Sequence, residues 1–384
     1  MESLIRNARK HVQKPPENRG TIGQAKIVIV GAGGAGNNTV DRLMRIGILG
    51  AICISINTDQ QHLDSKLSDK RILIGKTLTR GLGAGGQPEI GRAAAEESRN
   101  ELDTILNDAD LVFITCGLGG GTGTGSSPIV AEIAKLNGAM VVGVVTLPFK
   151  TEMGRLPKAQ EGLKNLRRFT DTVVVLDNNK LLEIAPDLPI IEAFSLADEV
   201  LATMVKGITE TVSLPSLINL DYADVRTILS TGGVAFIGIG ESHTEKGNRV
   251  EEAIQDALSS PLLEIDISGA KGALIHVTGG NDMTLTEANK VSEYISTKMD
   301  KNAMVIWGAR VDSKIHNYIR VMLLITGIKS PQVLGSSINH TRYPSSPIIR
   351  NLPQPKPKLS DELFSLPEME SQSRKKKNTE ESFV

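Results

Sequence analysis

The stretch that decides the fold is Cys116-Gly117-Leu118-Gly119-Gly120-Gly121-Thr122-Gly123-Thr124-Gly125-Ser126-Ser127-Pro128. It follows an apolar run at 111–114 and precedes a helical pattern that begins at Ile129. Flexible linkers are not found between a buried strand and an amphipathic helix. We therefore expect a loop at the carboxyl end of a strand, where backbone N–H groups beside a helix N-terminus can bind phosphate oxygens.

Two further glycine stretches support this interpretation. Gly31–Gly36 and Gly81–Gly86 also follow strand-like apolar runs. From residue 26 to 176 such runs alternate with helical patterns, which predicts an α/β fold with a doubly wound parallel sheet. Ligands of these sheets bind outside the carboxyl ends of the strands. Three glycine loops on one edge predict an extended, phosphate-bearing ligand.

The pattern changes along the chain and predicts a domain organisation. Apolar residues at helical spacing from Leu196 to Leu214 indicate a long helix that Pro215 ends. Fewer helical stretches accompany the strands after this point, and the chain becomes rich in proline and serine after Lys329. We predict a mobile arm at 1–24, a ligand-binding α/β domain at 25–195, a central helix at 196–218, a smaller α+β domain at 219–330 and a disordered tail at 331–384.

Composition limits the classes of function. The formal net charge of −1 and the aromatic content of 3% give no footprint for nucleic acid. No apolar run reaches transmembrane length, and nothing resembles a signal peptide. The two cysteines, Cys53 and Cys116, lie in apolar runs and are expected to be buried thiols. We therefore expect a cytoplasmic protein with neither a nucleic-acid partner nor a transmembrane segment.

Two other phosphate-binding folds have to be weighed. Gly31–Gly36 satisfies the dinucleotide pattern GxGxxG, but the second strand ends in Asn57 rather than in an acidic residue. That alternative, a Rossmann dehydrogenase, also leaves the other glycine loops unexplained. A P-loop ATPase would need a glycine where Lys70 precedes Gly75-Lys76-Thr77.

The combination that remains resembles the tubulin/FtsZ family, whose signature loop is GGGTGTG. Residues 119–125 match it without gaps, and the resemblance extends from about residue 26 to residue 328. Within the family the chain is most similar to archaeal FtsZ proteins. The resemblance implies binding of GTP and GDP with Mg²⁺, GTP hydrolysis, and head-to-tail polymerisation into filaments of the cell-division ring.

The resemblance also assigns a nucleotide site, with no side-chain metal ligand. The phosphates are expected to contact Gly34, Ala35, Gly36, Asn37, Asn38, Gly83, Ala84, Gly85, Gly120, Gly121, Thr122, Gly123 and Thr124. Glu152 and Arg155 would lie at the ribose and phosphate, and Asn178, Phe194 and Asp198 at the guanine. A carboxylate suits guanine because it accepts hydrogen bonds from both N1–H and the exocyclic amine.

A second motif is Asn219-Leu220-Asp221-Tyr222-Ala223-Asp224. Asn219 or Asp221 can be read as the cap of a helix over Val225–Leu229. The resemblance instead implies a catalytic loop of Asn219, Asp221 and Asp224 that orients water. The predicted central helix carries this loop about 28 Å from the base site at 1.5 Å per residue. We therefore expect the loop to act on the nucleotide of a neighbouring subunit, since head-to-tail contacts repeat into filaments.

The resemblance also bears on partners. A membrane tether or other division proteins would bind through the tail, for which Leu363–Pro367 is one candidate and the basic cluster at 374–377 another. A second FtsZ could co-assemble with the chain. The alternative function that stays open is a regulatory FtsZ-like GTP-binding paralogue with little turnover.

Overall fold

A mixed sheet of ten strands organises the chain in the order β3-β2-β1-β4-β5-β6-β7-β10-β8-β9. This computed structural model describes residues 25–184, 186–213, 216–218, 220–244, 248–259, 267–312 and 316–328. The strands are β1 Ile27–Ala32, β2 Ala51–Asn57, β3 Lys70–Leu73, β4 Leu111–Gly117, β5 Met140–Leu147, β6 Thr172–Asp177, β7 Gly233–Ser242, β8 Gly272–Gly279, β9 Met304–Val311 and β10 Ile319–Ile328.

Strands β1 to β6 are all parallel. Their central members are continuous apolar runs, and every residue of β1 is buried. Such runs are typical of strands that are covered on both faces, because both sets of alternating side chains then need to be apolar. The carboxyl ends of β1, β2, β4, β5 and β6 therefore lie at one edge, as the sequence predicts.

Helices cover both faces of the sheet. They are α1 Gly33–Ile46, α2 Gln60–Asp64, α3 Lys76–Thr79, α4 Pro88–Glu97, α5 Arg99–Leu106, α6 Thr122–Leu136, α7 Leu156–Leu166, α8 Asn179–Ile184, α9 Ile190–Ser213, α10 Tyr222–Leu229, α11 Arg249–Leu258 and α12 Leu285–Lys298. Side chains of α4 to α7 form the core on one face, and those of α1, α9 and α10 form the core on the other.

The second half of the sheet is mixed. Strand β7 pairs parallel with β6 through Thr172–Gly233 and Val173–Val234, antiparallel pairs join β7 to β10 and β10 to β8, and β8 runs parallel to β9. Helices α11 and α12 supply a third core. Helix α9 packs in the same core as Leu274, Met322 and Leu324, so it contacts both halves of the sheet.

The predicted fold class, an α/β sheet joined by a long helix to a smaller α+β part, is confirmed. The structure differs from the sequence expectation at several helix boundaries. Helix α9 begins at Ile190, six residues before Leu196. The expected alanine-rich helix is two helices, α4 and α5, because the chain leaves helical geometry at Ser98. The Ser98 hydroxyl accepts a hydrogen bond from the Gly75 N–H there, at 3.2 Å.

The largest difference concerns the glycine stretches. Helix α1 starts at Gly33 and helix α6 at Thr122, so much of both expected loops is the first turn of a helix, and Pro128 lies inside α6. The predicted arm at 1–24 and tail at 331–384 lie outside the described residues. Among the described helices none is long and apolar enough to cross a membrane.

Candidate functional site

Two helix N-termini meet at the carboxyl edge of the sheet. Helix α1 begins directly after β1, and helix α6 begins at Thr122, after a short loop that follows the paired strand β4. A Cβ atom at Gly33 would lie 2.7 Å from the Gly123 nitrogen, so the two first turns are in contact. Within the described residues neither helix has a side-chain cap or an acidic residue in its first turn. The unpaired N–H groups and the positive ends of both helix dipoles form a site for an anion.

Glycines let these backbones approach one another. A Cβ at Gly36 would overlap the Thr115 carbonyl oxygen, and a Cβ at Gly125 would overlap the Pro88 carbonyl oxygen. A Cβ at Gly120, by contrast, would have no neighbour within 4 Å among the described residues. Gly36 and Gly125 are thus required by packing, whereas Gly120 faces open space.

This difference predicts that Gly125→Ala unfolds the protein at lower denaturant concentration than wild type, with a loss of about 2 kcal/mol or more because the backbone of α4 must move. Gly120→Ala should leave the free energy of unfolding within about 0.5 kcal/mol of wild type. Urea unfolding of the nucleotide-free chains measures both. Equal destabilisation by the two substitutions would show that the packing of Gly125 does not limit the fold.

The predicted threonines brace the first turn of α6. The Thr124 hydroxyl accepts a hydrogen bond from the Gly119 N–H at 2.9 Å, which closes the loop at the end of β4. The Thr122 hydroxyl is hydrogen-bonded to the hydroxyl of Thr58 at 2.6 Å. Thr58 follows β2, so this contact joins the ends of two strands that are not neighbours in the sheet.

The loop with Gly83, Ala84 and Gly85 lies beside the start of α6. Gly83 donates its N–H to the Thr58 carbonyl at 3.0 Å, and a Cβ at Gly121 would lie 2.9 Å from the Ala84 methyl group. Gly83 and Gly85 have φ angles of 88° and 58°, which favour glycine. The structure therefore brings this loop next to the two helix N-termini.

The two predicted asparagines differ. Asn37 is fully buried, and its side chain donates to the carbonyl of Gly31 at 2.8 Å and accepts from Asn57 Nδ2 at 2.8 Å. It therefore ties the ends of β1 and β2 together. Asn38 Oδ1 is buried without a hydrogen-bond partner among the described residues, as is typical of an acceptor that a ligand or water completes.

Glu152 and Arg155 lie in the segment after β5. Glu152 accepts the N–H of Phe149 at 3.1 Å and forms an ion pair of 2.6 Å with Arg155. The Arg155 Cβ would lie 2.9 Å from a Cβ at Gly119. This segment therefore forms another wall of the site.

The residues predicted to contact the base come from β6 and α9. Asn178 follows β6 and donates its N–H to Leu147 at 3.3 Å. The ring of Phe194 meets Phe149 edge to face, with 5.8 Å between centroids. Asp198 Oδ1 accepts from the Thr39 hydroxyl at 3.3 Å. Burial raises the pKa of Asp198 to about 6, against the lowering by Thr39.

The acidic pair of the second motif is not brought to this edge. Asp221 caps α10 in a capping box: its carboxylate accepts the Asp224 N–H at 2.9 Å, and the Asp224 carboxylate accepts the Asp221 N–H at 3.1 Å. The adjacent Tyr222 hydroxyl donates to the carbonyl of Asp110 at 2.7 Å, directly before β4 begins. The pair therefore lies at the amino end of β4, about 20 Å from its carboxyl end at 3.3 Å per residue. Asn219 lies outside the described residues.

Two residues at the site do not emerge from the sequence pattern. Thr58 contacts Thr122, and the His62 ring lies near Gly34, where a Cβ would be 3.9 Å from Nε2. The polar Asn57-Thr58-Asp59 segment after the second strand is the available signal. In the sequence analysis this segment serves only to weigh the dehydrogenase alternative, because Asn57 stands where that fold has an acidic residue.

Comparison with family models gives two matches. Residues 26–186 match the model of the Tubulin/FtsZ family, GTPase domain. Residues 233–329 match the model of the FtsZ family, C-terminal domain. These ranges contain the glycine stretches and the mixed half of the sheet, respectively.

Similar proteins cover most of the chain. "Cell division protein FtsZ 2" of Methanocaldococcus jannaschii is 58% identical over 322 residues, 84% of this chain and 85% of the relative. "Cell division protein FtsZ 2" of Haloferax volcanii is 49% identical over 344 residues, 88% of this chain and 86% of the relative. The solved structure "FtsZ dimer, empty (M. jannaschii)" aligns with a TM-score of 0.75 and 52% identity, covering 85% of this chain and 91% of that one.

Proposed function

The chain belongs to the tubulin/FtsZ family, and we propose that it is a GTPase whose subunits assemble head to tail into filaments of the cell-division ring. The observation that carries the proposal is the separation of the two predicted half-sites. The anion site lies at the carboxyl edge of the sheet, and the acidic pair lies beside the residue before β4 at the other edge. A complete active site then requires two subunits.

The anion site at the first turns of α1 and α6 sets the proposed position of the nucleotide phosphates. The first turns of α1 and α6 bind the phosphates through N–H groups, and the loop at 83–85 closes over the last phosphate. Asp198 accepts the two donors of guanine, and the edge of the Phe194–Phe149 pair borders the base. Charge that develops on the phosphate in the transition state is stabilised by the same preorganised donors.

Magnesium is part of the proposal. The described residues contain no group of three or more His, Cys, Asp or Glu side chains that could hold a metal. These residues fit an ion that would be held by phosphate oxygens and water, as Mg²⁺ often is. The hydroxyls of Thr58 and Thr122 would lie beside it. When bound, Mg²⁺ neutralises negative charge on the phosphates.

The acidic pair would act on the nucleotide of the next subunit. Asp221 is exposed at the start of α10, and helix α9, with 24 residues, spans about 36 Å at 1.5 Å per residue. A head-to-tail contact would place Asp221 and Asp224 against the last phosphate of the neighbour, where the carboxylates would orient the attacking water. Asn219 is proposed as the third polar residue of this loop.

The test is the GTPase rate per subunit as a function of protein concentration. We expect the specific rate to rise steeply over a threshold concentration and then to plateau, since the active site forms only on assembly. Electron microscopy should show filaments with GTP and fewer with GDP over the same range. A specific rate that is independent of concentration would exclude a shared active site. GTP binding with filaments but without turnover would identify a regulatory paralogue.

We further propose that the protein acts in the cytoplasm at the division site and that its tail binds a membrane tether or other division proteins. These proposals rest on the sequence of residues 331–384 and on the relatives described as cell division proteins. Co-assembly with a second FtsZ is compatible with a head-to-tail contact between similar chains.

A further inference from the structure

We propose that His62 is an additional phosphate-binding residue, whose Nε2–H donates to the nucleotide phosphate held by the first turn of α1. The inference rests on the proposed function, because it deepens the site of the same nucleotide. His62 is not among the residues that the family resemblance assigns, but its position and its hydrogen bonds bring it to the same site.

The position of the ring is set by α2, which follows β2. The side chain of Asp59 caps this short helix by accepting the His62 N–H at 3.0 Å. The imidazole is half-buried, and its Nε2 would lie 3.9 Å from a Cβ at Gly34. The ring therefore borders the same first turn whose N–H groups face the anion site.

Hydrogen bonds at Asn57 fix which ring nitrogen carries the proton. Asn57 Oδ1 accepts the N–H groups of Thr58 and Asp59 at 2.9 and 3.2 Å, so its amide nitrogen must face the other way. That nitrogen donates to Asn37 Oδ1 at 2.8 Å and lies 3.4 Å from His62 Nδ1. Since Asn57 Nδ2 is only a donor, His62 Nδ1 accepts, and the proton of the neutral ring is on Nε2. The donor therefore lies on the Gly34 side.

The pKa of His62 should change when a phosphate binds beside the ring. Burial and the nearby Lys66 lower the pKa of His62, whereas Asp59 opposes them. The N-terminus of α1 also disfavours a positive charge. The free ring is therefore neutral at pH 7 and donates one hydrogen bond. A bound phosphate brings negative charge to Nε2–H, which favours the imidazolium and must raise the pKa of His62.

The direct test is an NMR titration of the full chain labelled with ¹³C-histidine. The six histidines are distinguished by the loss of one resonance in His62→Gln. We expect GDP to raise the pKa of His62 above that of the free protein, and guanosine, which lacks phosphate, to leave it unchanged. The same pKa of His62 in the GDP-bound protein and in the guanosine-bound protein would overturn the inference.

Binding measurements provide a second readout. His62→Leu should weaken GDP binding about tenfold, as expected for a hydrogen bond to a charged group, without changing guanosine binding. His62→Gln keeps a hydrogen-bond donor, so it should bind GDP more tightly than His62→Leu does. Wild-type protein should gain affinity for GDP between pH 7.5 and 6.5 as the ring becomes protonated, whereas His62→Gln cannot titrate and should show no such gain. The exposed His243 supplies the matched control His243→Gln, which should behave as wild type.

The outcomes separate this inference from the proposed function. Wild-type protein that binds GDP, with His62→Leu binding GDP equally well, overturns the role of His62 alone. Wild-type protein that binds neither GDP nor GTP overturns the nucleotide site and the inference with it. Equal losses of GDP and guanosine binding in His62→Leu would show a structural effect on the fold and would also overturn the inference.

Discussion

Replacing Asp221 by serine and Asp224 by glutamine in one variant is expected to lower GTP turnover by at least about 100-fold and to leave GTP affinity at the wild-type value. The two carboxylates lie at the amino end of β4, away from the proposed nucleotide half-site of their own subunit. Their loss therefore removes groups that would orient water in the neighbour's site without touching bound nucleotide. Steady-state turnover and GTP affinity, measured above the assembly threshold, check the result.

These substitutions are chosen because the acidic pair also has a local role. Asp221 and Asp224 form a capping box at α10, and alanine at an N-cap costs about 1 kcal/mol. Serine is also a strong N-cap, and glutamine three residues later preserves the box. The serine–glutamine variant should thus unfold within about 0.5 kcal/mol of wild type, whereas the double alanine variant should be less stable.

The comparison between the two variants decides the role of the pair. Loss of turnover in both, with loss of stability only in the alanine variant, assigns the effect to the carboxylates. A serine–glutamine variant that hydrolyses GTP at the wild-type rate would show that capping is the only role of Asp221 and Asp224. Filaments of this variant should persist longer after a limited supply of GTP.

The sheet could be predicted from sequence because its strands carry a strong signal. A run such as Ile27–Ala32 is buried at every position, and a buried parallel strand has no polar face to obscure the pattern. The long helix could also be predicted, but its start could not. Its first turn at Ile190 precedes the regular apolar spacing from which the sequence prediction placed the start at Leu196.

The glycine stretches show where local propensity fails. Glycine is unfavourable inside helices, so the sequence predicts loops at Gly33–Gly36 and at Thr122–Gly125. Both stretches are helical because these turns pack backbone against backbone, for example Gly125 against the Pro88 carbonyl. Such close approach depends on tertiary contacts between α4 and α6, which a single sequence does not reveal.

The candidate site was predictable only in part. The glycine pattern indicated an anion site, but Asp198 and Phe194 were placed by family resemblance, since a charge and a ring on a helix have ordinary structural explanations. The capping reading of Asp221 and Asp224 describes their contacts within one subunit. A role in a neighbouring subunit depends on assembly, so it stays a prediction.

Asp198→Asn is expected to lower GTP affinity by about 100-fold or more, since guanine then faces a donor where it requires an acceptor. The carboxylate can accept from N1–H and from the exocyclic amine, whereas an asparagine offers one acceptor and one amide donor. Xanthine carries an oxygen in place of that amine, so the variant should bind XTP more tightly than wild type does. Competition binding with GTP, XTP and ATP measures the change, and unchanged GTP preference would remove Asp198 from the base site.

The raised pKa of Asp198 would make the proposed contact with guanine dependent on pH. With a pKa of about 6, the carboxyl is ionised at pH 7 and becomes protonated as the pH falls, so it loses an acceptor for guanine. Wild-type affinity for guanosine should therefore fall about tenfold between pH 7 and pH 5, and Asp198→Asn should show no such fall.

The free energy of unfolding without nucleotide should depend on pH in the opposite direction. Because burial raises the pKa of Asp198 above 3.8, the nucleotide-free fold loses stability as the pH rises from about 4 through 6. Asp198→Asn lacks that loss, so it should be more stable than wild type at pH 7 without nucleotide and bind GTP less tightly, which a global unfolding defect could not produce.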